Sequence, residues 1–160
     1  MNKGSTLFLK AVIIVFGLAV LALCIFAFPH IYRGMALEWP GIKESQPFAF
    51  VGLYLSAIPF FIALYQGLKL LTYIDKNTAF SQESVNALKT IKYCAGSMTL
   101  CYVFIMPLAF FIADGDDAPG LILFAMTFVC SPLIIATFAG VLQKLLQNVV
   151  DIKKENELTV

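Results

Sequence analysis

Charge is scarce in this sequence: charged residues make up 13% of its 160 residues, whereas apolar residues make up 60%. Soluble domains carry about 25% charged residues. A chain of this length, which has room for one domain, cannot bury so much apolar surface in water. The composition therefore excludes an ordinary water-soluble domain and favours a single domain that spans a lipid bilayer.

The sequence also lacks the patterns that carry chemistry. It has one histidine, His30, and its four cysteines form no C-x-x-C pair. It has no glycine-rich phosphate loop, no H-E-x-x-H sequence and no nucleophile elbow. The acidic link Asp114–Asp117 does not follow the EF-hand ligand spacing, so a solvated turn is predicted there. We therefore predict no catalytic residue, no metal site and no cofactor.

Long apolar runs locate the membrane-spanning helices. A helix needs about 20 apolar residues to cross about 30 Å of hydrocarbon. The runs predict spans at about 8–29, 47–71, 92–113 and 119–143. The first is interpreted as an uncleaved anchor, because it is longer than the apolar part of a signal peptide. The Trp39-Pro40-Gly41 sequence predicts a turn after this span.

Prolines fall inside three of the predicted spans, at Pro59, Pro107 and Pro132. Proline removes a backbone donor and usually kinks a helix. The predicted fold is therefore all-α: an integral membrane four-helix bundle with kinked spans, formed by residues 1–160 as one domain. Helices three and four are predicted to extend into the cytoplasm.

The stretch Asp75–Lys92 is the longest polar interruption between two apolar runs. Ser81 is predicted to be the N-cap of a helix that begins near Gln82 and runs directly into the third span. Phe80 and Val85 have the spacing of a hydrophobic staple across that cap. Residues 82–92 are thus predicted to form an amphipathic helical segment outside the membrane.

The C-terminal segment at about 144–156 is predicted to be a second helical extension. A helix through this region would exceed the hydrocarbon thickness by about 20 Å. Its apolar stripe is expected to pack with the 82–92 segment, and consists of Leu142, Leu145, Leu146, Val149 and Ile152.

Lysine and arginine near span ends set the orientation of a membrane protein, with the excess in the cytoplasm. Two of these residues, Arg33 and Lys43, lie on one side of the predicted topology. Nine lie on the other side: Lys3, Lys10, Lys69, Lys76, Lys89, Lys92, Lys144, Lys153 and Lys154. We therefore expect a protein of the bacterial inner membrane with both termini in the cytoplasm.

Two stretches carry a resemblance to a known family. The first contains Ile74-Asp75, Ala79-Phe80-Ser81 and Leu88-Lys89-Thr90-Ile91, and the second is the ending Glu155–Val160. In these stretches and in its four-span layout the chain resembles the YoaS-like domain of unknown function, a family of small four-helix bacterial membrane proteins. Ala79 stands where relatives often have proline. Members are frequently encoded beside a helix-turn-helix regulator of the Cro/repressor type, which implies a cytosolic partner protein.

The sequence leaves two functions open. The first is an interaction protein whose cytoplasmic face binds a soluble partner, such as a helix-turn-helix regulator, without binding nucleic acid itself. The alternative is a small transporter or lipid-associated protein that uses a cavity between the kinked helices. Homo-oligomerisation is also left open. The candidate residues of the cytoplasmic motif, in partner binding or in structure, are Asp75, Phe80, Ser81, Asn86, Lys89, Glu155 and Asn156.

Overall fold

The computed structural model describes residues 3–38, 41, 43–115 and 117–159, and nearly all of them are helical. A π-helical segment, Leu23–Ala27, joins the first two helices. The helices are α1 (Lys3–Ala22), α2 (Phe28–Glu38), α3 (Gln46–Asp75), α4 (Gln82–Gly115) and α5 (Pro119–Thr159). The predicted turn at Trp39-Pro40 and the Asp116 position of the acidic link lie outside the described residues.

Four helical stretches are long and apolar enough to cross a membrane: Gly4–Met35, Gln46–Asp75, Gln82–Gly115 and Pro119–Thr159. The all-α membrane fold predicted from the sequence is therefore confirmed. The predicted helix start at Gln82 is also confirmed, and α4 runs from there through the third apolar run without a break. Pro59, Pro107 and Pro132 lie inside α3, α4 and α5 respectively.

Helix α4 lies at the centre of the packing, between α3 and α5, whereas α1 packs mainly on α3. Small residues bring the helices together. A Cβ atom added at Gly17 would lie 3.1 Å from the Leu64 side chain, and one at Gly52 would lie 3.3 Å from the Ile105 side chain. Close packing of this kind holds membrane helices together, because lipid removes most of the hydrophobic force between them.

The first crossing helix does not end at Pro29, where the sequence led us to place the end of the first span. It changes to π-helical hydrogen bonding at Leu23, and α2 then continues to Glu38. The π register is visible in the bond from the Phe28 N–H to the Leu23 carbonyl oxygen, five residues earlier. His30, which the sequence placed at a helix end, therefore lies inside a helix.

The π register leaves the Cys24 carbonyl without a donor from its own helix. In this register the next donor would be the N–H of residue 29, and proline has none. The hydroxyl of Tyr54, on α3, donates to the Cys24 oxygen instead, at 2.9 Å. Since lipid offers no hydrogen bond to a freed carbonyl, this contact explains how the helix continues through Pro29.

Two helix ends are closed by residues in the left-handed region. Asn77 follows α3 with a φ of 56°. The Thr78 N–H then donates to the Tyr73 oxygen at 2.9 Å, and the Asn77 N–H donates to the Ile74 oxygen at 3.1 Å. This pattern is a Schellman motif, which satisfies the last carbonyls of a helix. Asp117, with a φ of 49°, precedes a similar bond from the Ala118 N–H to the Ala113 oxygen.

The Tyr54 contact predicts coupling between two residues on different helices. Tyr54→Phe should lower the free energy of unfolding by about 1 kcal/mol, because it leaves the Cys24 carbonyl unsatisfied. Pro29→Ala restores an N–H on the first helix, so Tyr54→Phe should cost clearly less in that background. Unfolding of the four proteins in detergent, as a double-mutant cycle, measures the difference. Equal costs in both backgrounds would contradict this account.

Candidate functional site

The start of α1, the α3–α4 turn and the last turns of α5 lie together at one end of the bundle, which we call the polar end. Lys10 of α1 forms an ion pair with Asp75, the last residue of α3, and their side chains are 24% and 28% exposed. Gln82, the first residue of α4, donates to Gln147 of α5 at 3.2 Å. The nine lysines that the sequence placed on one side belong to segments at this end.

Ser81 begins α4 as predicted. The Ser84 N–H donates to the Ser81 hydroxyl oxygen at 3.3 Å, and the Ser81 carbonyl accepts from the N–H groups of Ser84 and Val85. Ser81 is therefore the N-cap, and Glu83 adds a negative charge in the first turn, where it favours the helix dipole. Val85 is 2% exposed, whereas Phe80 is 60% exposed. Most of the Phe80 ring therefore remains open to solvent instead of being covered in a staple.

The start of α4 packs against the last turns of α5. Gln82 and Gln147 exchange hydrogen bonds through both amide groups, and Gln147 also donates to Asp151 at 2.8 Å. Val85 and Leu88 are buried on α4, and Val150 is buried on α5. These contacts give the α3–α4 turn and the end of α5 a fixed relative position.

The residues of α5 expected in this contact were only partly correct. Val150, which was not in the predicted stripe, is 4% exposed. Among the predicted members, Leu145 and Ile152 are 57% and 59% exposed. The predicted stripe is therefore divided between two faces: Leu146 is half-buried and lies about 40° around the helix from Val150, whereas Leu145 and Ile152 lie on another, exposed face.

A groove of about 820 Å³ lies between the α3–α4 turn and α5 at the polar end. Its apolar wall consists of Phe80, Val149 and Ile152, and polar groups surround them. The full lining is Asn77, Thr78, Phe80, Ser81, Val149, Ile152, Lys153, Asn156 and Glu157. We call this feature the polar-end groove.

The polar-end groove brings together three of the seven residues of the predicted motif: Phe80, Ser81 and Asn156. Asp75 is held in its ion pair at the end of α3. The other three, Asn86, Lys89 and Glu155, are exposed at the same end but are not among the residues that line the groove.

Sequence reasoning missed other residues of the groove, notably Asn77, Lys153 and Glu157. A signal for Asn77 was present, because asparagine is the non-glycine residue that most readily closes a helix in the left-handed region. For Lys153 and Glu157 the sequence gives no such signal, since charged residues on an exposed helix look alike whether or not they border a groove.

A second, apolar cavity of about 320 Å³ lies nearer the opposite end, between α2, α3, α4 and α5. Phe28, Phe50, Ala109, Ala125 and Phe128 are among its lining residues, and among the described residues of the lining the Tyr102 hydroxyl is the only polar side-chain group. At this end Gln46 joins α3 to α2: its side chain is 2% exposed and donates to the Tyr32 carbonyl at 2.7 Å.

The side chains that line the polar-end groove decide what it can bind. Among the described residues, no group of three or more histidine, cysteine, aspartate or glutamate side chains could hold a metal ion. The polar-end groove offers an apolar wall, amide and hydroxyl groups, one ammonium and one carboxylate. That mixture suits a protein segment with one apolar face, which anchors through apolar side chains and is oriented by polar ones.

Comparison with known proteins places the chain in a family. No solved structure matches it. A Bacillus subtilis (strain 168) protein with the name "Uncharacterized membrane protein YoaS" is 49% identical to it over 160 residues, the whole length of both chains. The resemblance noted from the two polar-end motifs is thereby confirmed. The model of the family described as "Protein of unknown function (DUF2975)" matches residues 33–160, and the chain belongs to that family.

Proposed function

We propose that this multi-pass membrane protein is an interaction protein of the bacterial cytoplasmic membrane, which binds a soluble cytoplasmic protein in the polar-end groove. The observation that carries the proposal is the exposure of an aromatic side chain, Phe80, beside a rigidly held groove at the most basic end of the molecule. The family resemblance makes a helix-turn-helix regulator the first candidate partner.

The orientation rests on the distribution of charge. Nine of the eleven lysine and arginine residues belong to segments at the polar end. An excess of this kind is retained in the cytoplasm during membrane insertion. Both termini and the polar-end groove then face the cytoplasm, where a soluble regulator can reach them.

The groove has the properties of a docking site for an amphipathic segment. The Gln82–Gln147 pair joins the start of α4 to α5, and the Ser81 cap orders the first turn of α4. Phe80 is a bulky anchor, and aromatic anchors carry much of the binding free energy in protein interfaces. Lys153 and Glu157 stand at the groove with opposite charges, which would select the register of a bound segment.

Phe80→Ala should weaken partner binding about thirty-fold, since truncation of a central aromatic anchor costs about 2 kcal/mol. The measurement is the amount of regulator recovered with the tagged membrane protein, purified from its host in mild detergent. Leu158→Ala is the matched control, because Leu158 is 87% exposed at the same end but does not line the groove. Equal recovery with both variants, or no regulator with the unchanged protein, would overturn the proposal.

Cysteine labelling tests the orientation separately. In a chain without its four native cysteines, Asn86→Cys should react with a membrane-impermeant maleimide only after the cells are opened. Glu44→Cys, which is exposed in the first connection, should react in intact spheroplasts. Labelling of residue 86 from outside would show that the groove faces away from the cytoplasm.

The apolar cavity between α2, α3, α4 and α5 favours a second candidate function, the binding of a hydrophobic chain such as a lipid tail. A volume of about 320 Å³ with a single polar side-chain group in its lining would accept apolar matter from the surrounding bilayer. This geometry supports the lipid-associated alternative more directly than it supports transport of a polar solute.

Filling this cavity tests the second candidate. Ala109→Leu and Ala125→Leu should reduce the lipid retained by the purified protein, because the added methyl groups occupy the space of the chain. Native mass spectrometry measures the bound lipid, and Ala11→Leu, on an exposed part of α1, is the control. Unchanged retention in the two cavity variants would remove this function, and Phe80→Ala should leave retention unaltered.

A further inference from the structure

Helix α5 carries an exposed apolar stripe, which we call the heptad stripe because its residue pattern repeats every seven residues. The stripe residues alternate spacings of three and four, and a polar residue, Asn156, continues the same spacing. Its apolar members and their exposed fractions are Ile135 (53%), Phe138 (66%), Leu142 (49%), Leu145 (57%), Val149 (42%) and Ile152 (59%).

This heptad stripe is distinct from the face of α5 that packs on α4. The residues of α5 that are buried in the molecule are Pro132, Ala139 and Val150. At 100° per residue, Val150 lies about 100° around the helix from Val149, and Ala139 lies on the same side as Val150. Beyond Lys144, helix α5 therefore has one occupied face and one unoccupied apolar face, whereas in its membrane-embedded part Leu133, Ile134 and Val141 are exposed as well.

The unoccupied face continues beyond the reach of lipid. Helix α5 has 41 residues, which corresponds to about 60 Å, whereas the hydrocarbon layer is about 30 Å thick. Ile135 and Phe138 can be covered by lipid, but Leu145, Val149 and Ile152 follow the charged Lys144 and extend into water. Apolar surface exposed to water in this way favours association with another apolar surface.

We propose that the heptad stripe of α5 is the interface of a parallel homodimer, in which α5 of one copy packs against α5 of a second copy. A strict seven-residue repeat is the pattern of two helices that supercoil around each other. With Leu142 and Val149 at a positions, and Leu145 and Ile152 at d positions, each copy presents the same self-complementary seam to the other.

Three features select a second copy as the occupant. Copies of one membrane protein insert with the same orientation, so their α5 helices are parallel and share one register. Asn156 falls at an a position, where a polar residue pairs with its symmetry mate and fixes a parallel register. At the flanking e and g positions, Asn148 of one copy faces Lys153 of the other, so no like charges oppose each other there.

The available area is sufficient for a dimer. Each stripe side chain exposes on the order of 100 Å² of apolar surface, so six of them offer about 600 Å² per copy and about 1,200 Å² for the pair. This area reaches the lower end of the range for stable protein interfaces. Val149, Ile152 and Asn156 belong both to the stripe and to the lining of the polar-end groove, so a second copy and a bound partner would compete for this part of α5. The dimer does not depend on partner binding.

Disulfide cross-linking in native membranes tests the dimer. In a chain with its four native cysteines replaced by alanine, single cysteines at Leu142, Leu145, Val149 and Ile152 should give covalent dimers of twice 17.6 kDa on mild oxidation. Lys144→Cys and Asp151→Cys are matched controls, because both residues are exposed on the same turns but off the stripe. We expect at least five-fold less dimer from the controls. Equal yields at all six positions, or no dimer at the four stripe positions, would overturn the proposal.

A second measurement leaves the native cysteines in place. Leu145→Lys should lower the ratio of dimer to monomer in mild detergent at least ten-fold, as measured by light scattering, while Lys144→Ala leaves it unchanged. A monomeric unchanged protein, or cross-links from the stripe to another protein instead of to a second copy, would count against the dimer. Phe80 lines the groove but is not a residue of the stripe, so Phe80→Ala should weaken partner binding and leave the dimer in place, which tells failure of the dimer from failure of partner binding.

Discussion

Lipid cannot donate or accept a hydrogen bond, and this constraint decides the details of the membrane-embedded part of the molecule. Several hydroxyl groups on the spans donate to carbonyls of their own helices, as in the bonds from Thr99 to the Ala95 carbonyl and from Thr137 to the Leu133 carbonyl. Where Pro29 removes a donor, Tyr54 supplies one from another helix. The apolar packing is loose by comparison, because lipid covers exposed side chains as well as protein does.

At the polar end the helices are surrounded by water instead of lipid, and there polar side chains close the helix ends. The Ser81 cap, the left-handed Asn77 and the Gln82–Gln147 pair close the helix ends and hold them in place. The result is a defined surface with an exposed aromatic ring, Phe80, instead of a flexible loop. The groove proposed to bind a regulator thus lies in water, and the apolar cavity lies in the bilayer interior. The dimer interface runs along a helix that passes through both.

Features determined locally could be predicted from the sequence, and features that depend on distant residues could not. The apolar runs identified the crossing helices, and the capping signal of Ser81 identified the start of α4, because each depends on neighbouring residues only. The passage of the first helix through Pro29 depends on Tyr54, which is separated by 25 positions. The face of α5 that packs on α4 was only partly identified, because two apolar faces on one helix cannot be ranked without the partner helix. The groove requires the tertiary structure for the same reason.

The first crossing helix is attached to α3 by three polar contacts: Lys10 to Asp75, Tyr54 to the Cys24 carbonyl, and Gln46 to the Tyr32 carbonyl. They are distributed from one end of this helix to the other, so a slide of even one turn would break all of them together. Depth and rotation of the N-terminal helix are thus specified by these polar contacts together with the close packing at Gly17. Such a helix can be inserted into the membrane on its own. Its final position is set only later, when α3 has been inserted.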